Sequence, residues 1–306
     1  MLRLSVTRLP ARRLAAVLAS LAALATGAAV SGCEDAVSPF LDEPRYFTVY
    51  GFLSTDADTQ VLRVEAVRRT VELPQPGPLG AVVTTTDAAT GAVTTWRDSL
   101  VAFRDGTRGH VFFAAFRAQH GRTYRLAVTR GDGQAATATT RVPPRVAPAI
   151  GAEPQPNTAS GGTAAQAVVF GGVSNPPRQV AITYRFAPAR VDFPFRDIRL
   201  VYESPDIGAR VGTGWQVRAL LSRDIDTLNR IFPAGKPPLL SVGVRLAQGD
   251  SAWVPPGGTF DFETLIEPTQ LTNVTGGFGF FGSVAMQRAE WGLSRALTAA
   301  LGYPLP

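Results

Sequence analysis

Two patterns of apolar and polar positions divide the chain. Behind a basic start carrying Arg3, Arg8, Arg12 and Arg13, residues 14–30 form an apolar stretch, whereas from Tyr46 onward short stretches alternate apolar with polar. The first pattern is that of a secretory signal. The second, with a period of two, predicts half-buried β-strands. Leu62, Val64 and Ala66 point one way, with Arg63 and Glu65 opposite. Residues 81–87 and 92–98 flank Asp87-Ala88-Ala89-Thr90-Gly91, a hairpin loop with Gly placed to accept positive φ. Residues 111–116 are continuously apolar and read as a central strand. Tyr124, Leu126 and Val128 alternate with Arg and Thr, then a turn at Arg130-Gly131-Asp132-Gly133 leads to a Thr-rich return ending at Val142. About seven strands in about 100 residues is the count of an immunoglobulin or fibronectin type III sandwich. Tyr124, after Gly121-Arg122-Thr123, stands either as a tyrosine corner or as an ordinary strand-favouring core residue.

Residues 143–166 carry Pro143, Pro144, Pro148, Pro154 and Pro156 with Gly151, Gly161 and Gly162, a composition that sustains neither ladder nor helix. Strand patterns resume at 167–173, at Val180, Ile182, Tyr184 and Phe186, at Ile198, Leu200 and Tyr202, at Trp215, Val217 and Ala219, and at Leu240, Val242, Val244 and Leu246. One short helix is predicted over 221–232, with Ser222 as N-cap and Ile225, Leu228 and Phe232 on one face. A last strand over 280–291 precedes a tail helix built on Leu293, Leu297 and Leu301. The expected fold is all-β: an immunoglobulin-like sandwich over 45–143, a Pro/Gly linker over 144–166, and a β-rich domain with one or two short helices over 167–306.

Charge and cysteine content change the reading of the N-terminus. Val30-Ser31-Gly32-Cys33 ends the apolar run, and Cys33 is the only cysteine. These four residues resemble a bacterial lipobox, which implies a diacylglycerol on the Cys33 sulfur, cleavage after Gly32 and acylation of the new amine. An uncleaved anchor is the weaker reading, because about 17 residues rich in Ala are at the lower limit for a span. Removing the four arginines of residues 1–32 from 30 basic side chains leaves 26 against 24 acidic ones, so the net charge falls from +6 to +2. That argues against nucleic acid as a partner, since phosphate neutralisation needs clustered positive charge. Residues 33–44 read as an acidic tether. Glu34 in place of Asp after the cysteine points to the outer membrane, and the acidic stretch to surface exposure.

Candidate chemistry is sparse. His110 and His120 are the only histidines and read as solvated loop residues outside any triad. Gly249-Asp250-Ser251 looks like the nucleophile block of GDS-type hydrolases but reads as a hairpin turn this late in a β-rich chain. Asp56 with Asp58, and Asp224 with Asp226, are pairs able to hold a hard cation, or solvated turn acids. Arg130-Gly131-Asp132 is explained by hairpin chemistry, and Asn273-Val274-Thr275 fits a glycosylation acceptor. The most unusual segment is Gly276-Gly277-Phe278-Gly279-Phe280-Phe281-Gly282. It reads as a tightly packed, bulged strand, with ligand or interface contact at Gly276, Gly277, Phe278, Gly279, Phe280 and Phe281 as the alternative. No cofactor is expected.

The lipobox, Tyr46-Phe47-Thr48-Val49-Tyr50-Gly51-Phe52-Leu53, Gly121-Arg122-Thr123-Tyr124-Arg125-Leu126, Val142-Pro143-Pro144 and the glycine-rich segment after Asn273 together resemble a family of uncharacterised bacterial outer-membrane lipoproteins that carry a domain of unknown function. Members are often encoded beside TonB-dependent receptors, which implies such a receptor as partner. In place of the aromatic helix that the resemblance implies before the glycines, residues 253–266 offer Trp253, Phe260 and Phe262 around Pro255-Pro256-Gly257-Gly258. The expected function is a non-enzymatic, lipid-anchored binding or accessory module of the outer membrane. A surface hydrolase or glycan-processing enzyme, gathering Asp192, Asp197, Glu203 and Asp206, is the first alternative, and a structural envelope or adhesion protein the second.

Overall fold

Strand alternation carries through into the computed structural model, which describes residues 45–67, 78–104, 106, 108–159, 163–173, 175–188, 195–203, 206–233, 235–253 and 273–305. These belong to one unit beginning at Arg45. In the first half β1 (Phe47–Ser54), β2 (Thr59–Ala66), β6 (Arg108–Ala115) and β5 (Arg97–Ala102) lie side by side in one sheet. A second sheet holds β8 (Ala135–Arg141), β7 (Thr123–Arg130), β3 (Ala81–Asp87) and β4 (Val93–Thr95), with β16 (Val274–Thr275) on its edge. The order β1-β2-β6-β5 against β8-β7-β3 is the A-B-E-D against G-F-C order of immunoglobulin sandwiches, extended by β4. Alternate residues fill the space between: Val49 and Phe47 of β1, Leu62 and Val64 of β2, and Leu126 and Val128 of β7 are all buried in one core.

Tyr124 is a true tyrosine corner. Its hydroxyl accepts a hydrogen bond from the backbone N–H of Gln119 at 3.0 Å, closing the turn that leads into β7. Tyr124→Phe therefore removes one partly buried hydrogen bond, a loss of about 1 kcal/mol. The thermal midpoint should fall by about 2–4 °C with the far-UV spectrum unchanged, and an unshifted midpoint would show the corner to be idle.

The strand expected over 92–98 is interrupted at Trp96. β4 stays with β3, while β5 crosses to pair with β6. Trp96 is the pivot: it is buried, and its indole N–H donates to Thr85 Oγ1 at 2.7 Å, so the ring turns inward between the sheets and the backbone changes sheet around it.

The second half adds β9 (Pro148–Ile150), a helical turn α1 (Pro156–Ala159), β10 (Gln166–Phe170), β11 (Gln179–Phe186), β12 (Arg196–Tyr202), β13 (Ala209–Val211), β14 (Gly214–Ala219), α2 (Leu221–Ile231), β15 (Leu239–Gly249), β17 (Gly277–Trp291) and α3 (Arg295–Ala300). A four-stranded sheet, β13-β14-β10-β9, and the two longer helices enclose a second core with β11 and β15, around Phe170, Ile182, Tyr184, Phe186, Val244 and Leu297. All-β architecture with few short helices is thus the observed fold. Two local expectations are corrected. A register shift at Arg185/Phe186 makes the inward series of β15 Leu239, Val242, Val244 and Leu246, leaving Leu240 exposed. The N-cap of α2 is Leu220 without a side-chain cap bond; Ser222 lies inside the helix and its Oγ accepts from the Ala164 N–H at 2.8 Å. The tail helix α3 does have a side-chain cap, Ser294, whose oxygen accepts from Leu297 N–H at 3.2 Å.

β17 joins the two halves. Its first part, up to Val284, pairs in parallel with β1, and its second part, from Val284, pairs antiparallel with β15. One eight-stranded sheet, β12-β11-β15-β17-β1-β2-β6-β5, results. Phe281 and Ala285 belong to the first core and Ala289 to the second. These are odd-numbered positions of one strand, so both cores lie on the same face of the long sheet. In sequence the first core ends at Val142 and the second begins at Ala164, except that Val274, Phe281 and Ala285 return to the first. The even positions of β17 lie on the other face, exposed at Arg288 and Glu290 and buried at Phe280 and Val284.

Candidate functional site

The glycine-rich segment is explained by close backbone approach. A Cβ at Gly276 would lie 2.4 Å from the Ala135 carbonyl oxygen, at Gly277 2.5 Å from that of Phe47, and at Gly279 2.1 Å from that of Val49. Gly276 and Gly279 also have φ of 71° and 97°, in the left-handed half of the map. Phe281 is fully buried in the first core, whereas Phe278 sits under the Arg45 guanidinium, 4.7 Å from ring centre to Cζ. The sequence motif is therefore a strand squeezed between β1 and β8. Asn273 extends this arrangement: its amide donates to the Phe281 carbonyl at 2.7 Å and its Oδ1 accepts from the Phe281 N–H at 2.9 Å, so the side chain imitates a strand neighbour. A glycan on Asn273 Nδ2 would compete with the first of these bonds.

Two carboxylates are buried in the described residues, and neither is a turn acid. Asp250, 5% exposed, accepts from the Thr140 hydroxyl, from Ser283 N–H at 3.0 Å and from Ser283 Oγ at 3.1 Å, and its other oxygen accepts from Ala252 N–H at 3.0 Å. Burial holds its pKa above the ordinary carboxylate value against the pull of these donors. Asp250 of the Gly249-Asp250-Ser251 block is thus a buried tie between β15, β17 and β8, and the hairpin-turn reading is replaced. Asp224 of α2, 3% exposed, accepts from the hydroxyls of Tyr184 at 2.8 Å and Tyr202 at 2.6 Å. Burial raises its pKa too, and raises those of both tyrosines. Asp226 is exposed on the opposite side of α2, so the pair Asp224 and Asp226 does not converge on a cation.

The histidines are not solvated loop residues. His110 is buried on β6, its Nδ1 2.9 Å from Asp98 Oδ1, because strand pairing sets it beside β5. His120 is half-buried, with Nδ1 3.3 Å from the Pro143 carbonyl. Arg130 and Asp132 bond to each other at 3.0 and 2.8 Å within their hairpin. Asp56 and Asp58 are taken by arginines: Asp56 by both Arg245 and Arg288, Asp58 by Arg117. Among the described residues no group of three His, Cys, Asp or Glu is placed to hold a metal ion. Of the four carboxylates suggested for glycan processing, Asp192 lies outside the described residues, Glu203 is exposed, Asp197 pairs with Arg185, and Asp206 pairs with Arg223. Cys33 also lies outside them, and no described helix is long and apolar enough to cross a membrane.

What the structure gathers, and what no local pattern announced, is a polar depression of about 400 Å³ on the outward face of the long sheet. Four neighbouring strands supply it: β12 gives Asp197 and Arg199, β11 Thr183 and Arg185, β15 Gly243 and Arg245, and β17 Arg288 and Glu290. Gly243 stands opposite Thr183 on one side and Glu290 on the other, so its missing side chain forms the floor. Arg185 occupies one end, bound through two nitrogens to Asp197 at 3.0 Å and through the third to Glu290 at 3.0 Å. At the other end Arg245 and Arg288 share the single carboxylate of Asp56. A second polar depression of about 230 Å³ continues beyond Arg288 and Asp56, towards Arg117, His120 and Arg145. The one sequence signal was an outward Arg on each of β11, β12, β15 and β17; strand order alone makes them neighbours.

A family model described as a domain of unknown function (DUF4249) matches residues 34–198. The matched stretch takes in β1 to β11 and the start of β12. Comparison with curated proteins finds no match.

Proposed function

The chain belongs to the DUF4249 family of domains of unknown function, and from that premise we propose that it is a lipid-anchored lipoprotein of the outer membrane. It acts there as a non-enzymatic binding or accessory module with a TonB-dependent receptor as its partner. The observation that carries the reading is Val30-Ser31-Gly32-Cys33 closing a basic-then-apolar leader one residue before the family match begins. Each buried methylene of an acyl chain contributes about 0.8 kcal/mol, and more than one chain makes anchoring stable. Tethering then confines the module to two dimensions and raises its effective concentration beside a membrane partner. A binding role is also supported by the separate arginine partners of Asp197 and Asp206, which hold these carboxylates in ion pairs.

The test of the anchor is Cys33→Ser. The variant leaves the membrane fraction or accumulates as uncleaved precursor, and incorporation of labelled palmitate is lost; normal processing and attachment would overturn the anchor. The partner is tested by affinity purification from native outer membranes with the lipid intact. A stoichiometric β-barrel protein supports the receptor reading, and its absence removes it.

A further inference from the structure

We propose that the depression on the outward face of the long sheet is a binding site for a small polar molecule carrying an oxyanion, a phosphate or a carboxylate, and that Arg199, Arg245 and Arg288 receive that group. The charge balance carries the inference. At this end three guanidinium groups face one carboxylate, Asp56, which already serves Arg245 and Arg288. Arg199 is exposed on β12 and makes no hydrogen bond or ion pair among the described residues, although it lines the depression, with its strand neighbour Thr183 between it and the glycine floor. Arg245 is incompletely satisfied, since its Nε is buried with no acceptor. Burial, Arg199 and Arg288 all oppose the charge of Arg245, and Asp56 favours it. Across the depression four guanidinium groups meet three carboxylates, Asp56, Asp197 and Glu290, and the one excess positive charge falls at the end where Arg199, Arg245 and Arg288 lie, where a phosphate or carboxylate offsets it through paired N–H donors.

The opposite end sets what the rest of the ligand is. Asp197 and Glu290, tied to Arg185, together with Thr183, offer acceptors to hydroxyl groups; Glu290 is held from outside the depression by Ser241 Oγ, which donates to it at 2.6 Å. The cavity of about 400 Å³ exceeds a bare anion and lies within the usual range for small-molecule sites. Its lining contains no aromatic residue, so an aromatic ligand has no stacking surface. A hydroxylated molecule with one oxyanion, such as a sugar phosphate or sugar acid, fits both ends. The site lies on strands of the folded unit and does not depend on the anchor at Cys33.

Isothermal titration of the full chain in detergent tests this with glucose 6-phosphate, glucuronate, inorganic phosphate and neutral glucose. Saturable one-to-one binding is expected for glucose 6-phosphate or glucuronate, weakened by salt, with glucose silent. Arg199→Gln and Arg288→Gln should each weaken it about tenfold or more, while Arg230→Gln, which removes a charge from the exposed face of α2, should leave it unchanged. Inorganic phosphate should bind at the same site and compete. The proposal is overturned if no charged probe binds saturably, if glucose binds equally well, or if Arg230→Gln weakens binding as much as the two site variants. Arg199 makes no hydrogen bond or ion pair among the described residues, so its variant removes no such tie from the fold.

Discussion

Gly279→Ala should be among the most damaging single substitutions in the folded unit, lowering the thermal midpoint by about 10 °C or more. Two costs add. The φ of 97° is strained for any residue with a Cβ, by about 1–3 kcal/mol. The new Cβ would also stand 2.1 Å from the Val49 carbonyl oxygen, and relief requires β1 and β17 to part where they pair in parallel. A total above about 4 kcal/mol places this at the extreme of point-mutant effects, and each kcal/mol shifts the midpoint of a unit this size by about 2–4 °C. The comparison is Gly131→Ala in the hairpin after β7, where nothing lies within 4 Å of the added Cβ; that change should stay within about 0.5 kcal/mol. Equal midpoint shifts for the two variants would refute the close-approach account of the glycine-rich strand.

Asp224→Ala should cost about 3 kcal/mol, because the hydroxyls of Tyr184 and Tyr202 lose the carboxylate they both donate to inside the second core. Asp224→Asn keeps the shape and removes the titration, which separates charge from packing. The folded protein holds this carboxyl above its ordinary value of about 4 through burial. A carboxyl with a raised folded pKa contributes stability that is complete below the unfolded value and is lost as pH climbs through the folded one. The wild-type advantage over Asp224→Asn in urea unfolding is therefore largest near pH 4 and shrinks towards pH 7. A gap that widens with rising pH would mean that the carboxylate, not the acid, is the favoured form in the core. Asp250 carries the same sign of shift for the same reason, so its Asn variant should follow the same trend.

Legibility in the sequence differed between fold and site. Period-two alternation located β2, β7, β11 and β12 and named their inward residues, since side-chain direction in a strand follows directly from position. The tyrosine corner at Tyr124 was visible as one of two readings, and the hydrogen bond to Gln119 decided between them. Boundaries failed where a side chain overruled the pattern: Trp96 turned inward and sent β5 to the other sheet, and a register shift moved Leu240 to the surface. Polar residues were misplaced most often. Asp224, Asp250 and His110 look like surface residues in sequence, and each is buried because a hydroxyl or carboxylate from another strand satisfies it.

The sequence by itself determined the all-β class, the inward face of most strands and the family. These rest on local order: alternation, and glycine and proline placement. Tertiary structure alone decided that β17 joins two halves of one long sheet, that the glycines of residues 276–279 answer to β1 and β8, and that Arg185, Arg199, Arg245 and Arg288 surround one glycine floor. Each of these depends on which strands become neighbours. That choice is made by burying two cores on one face of a shared sheet, and it leaves the outward arginines together on the other.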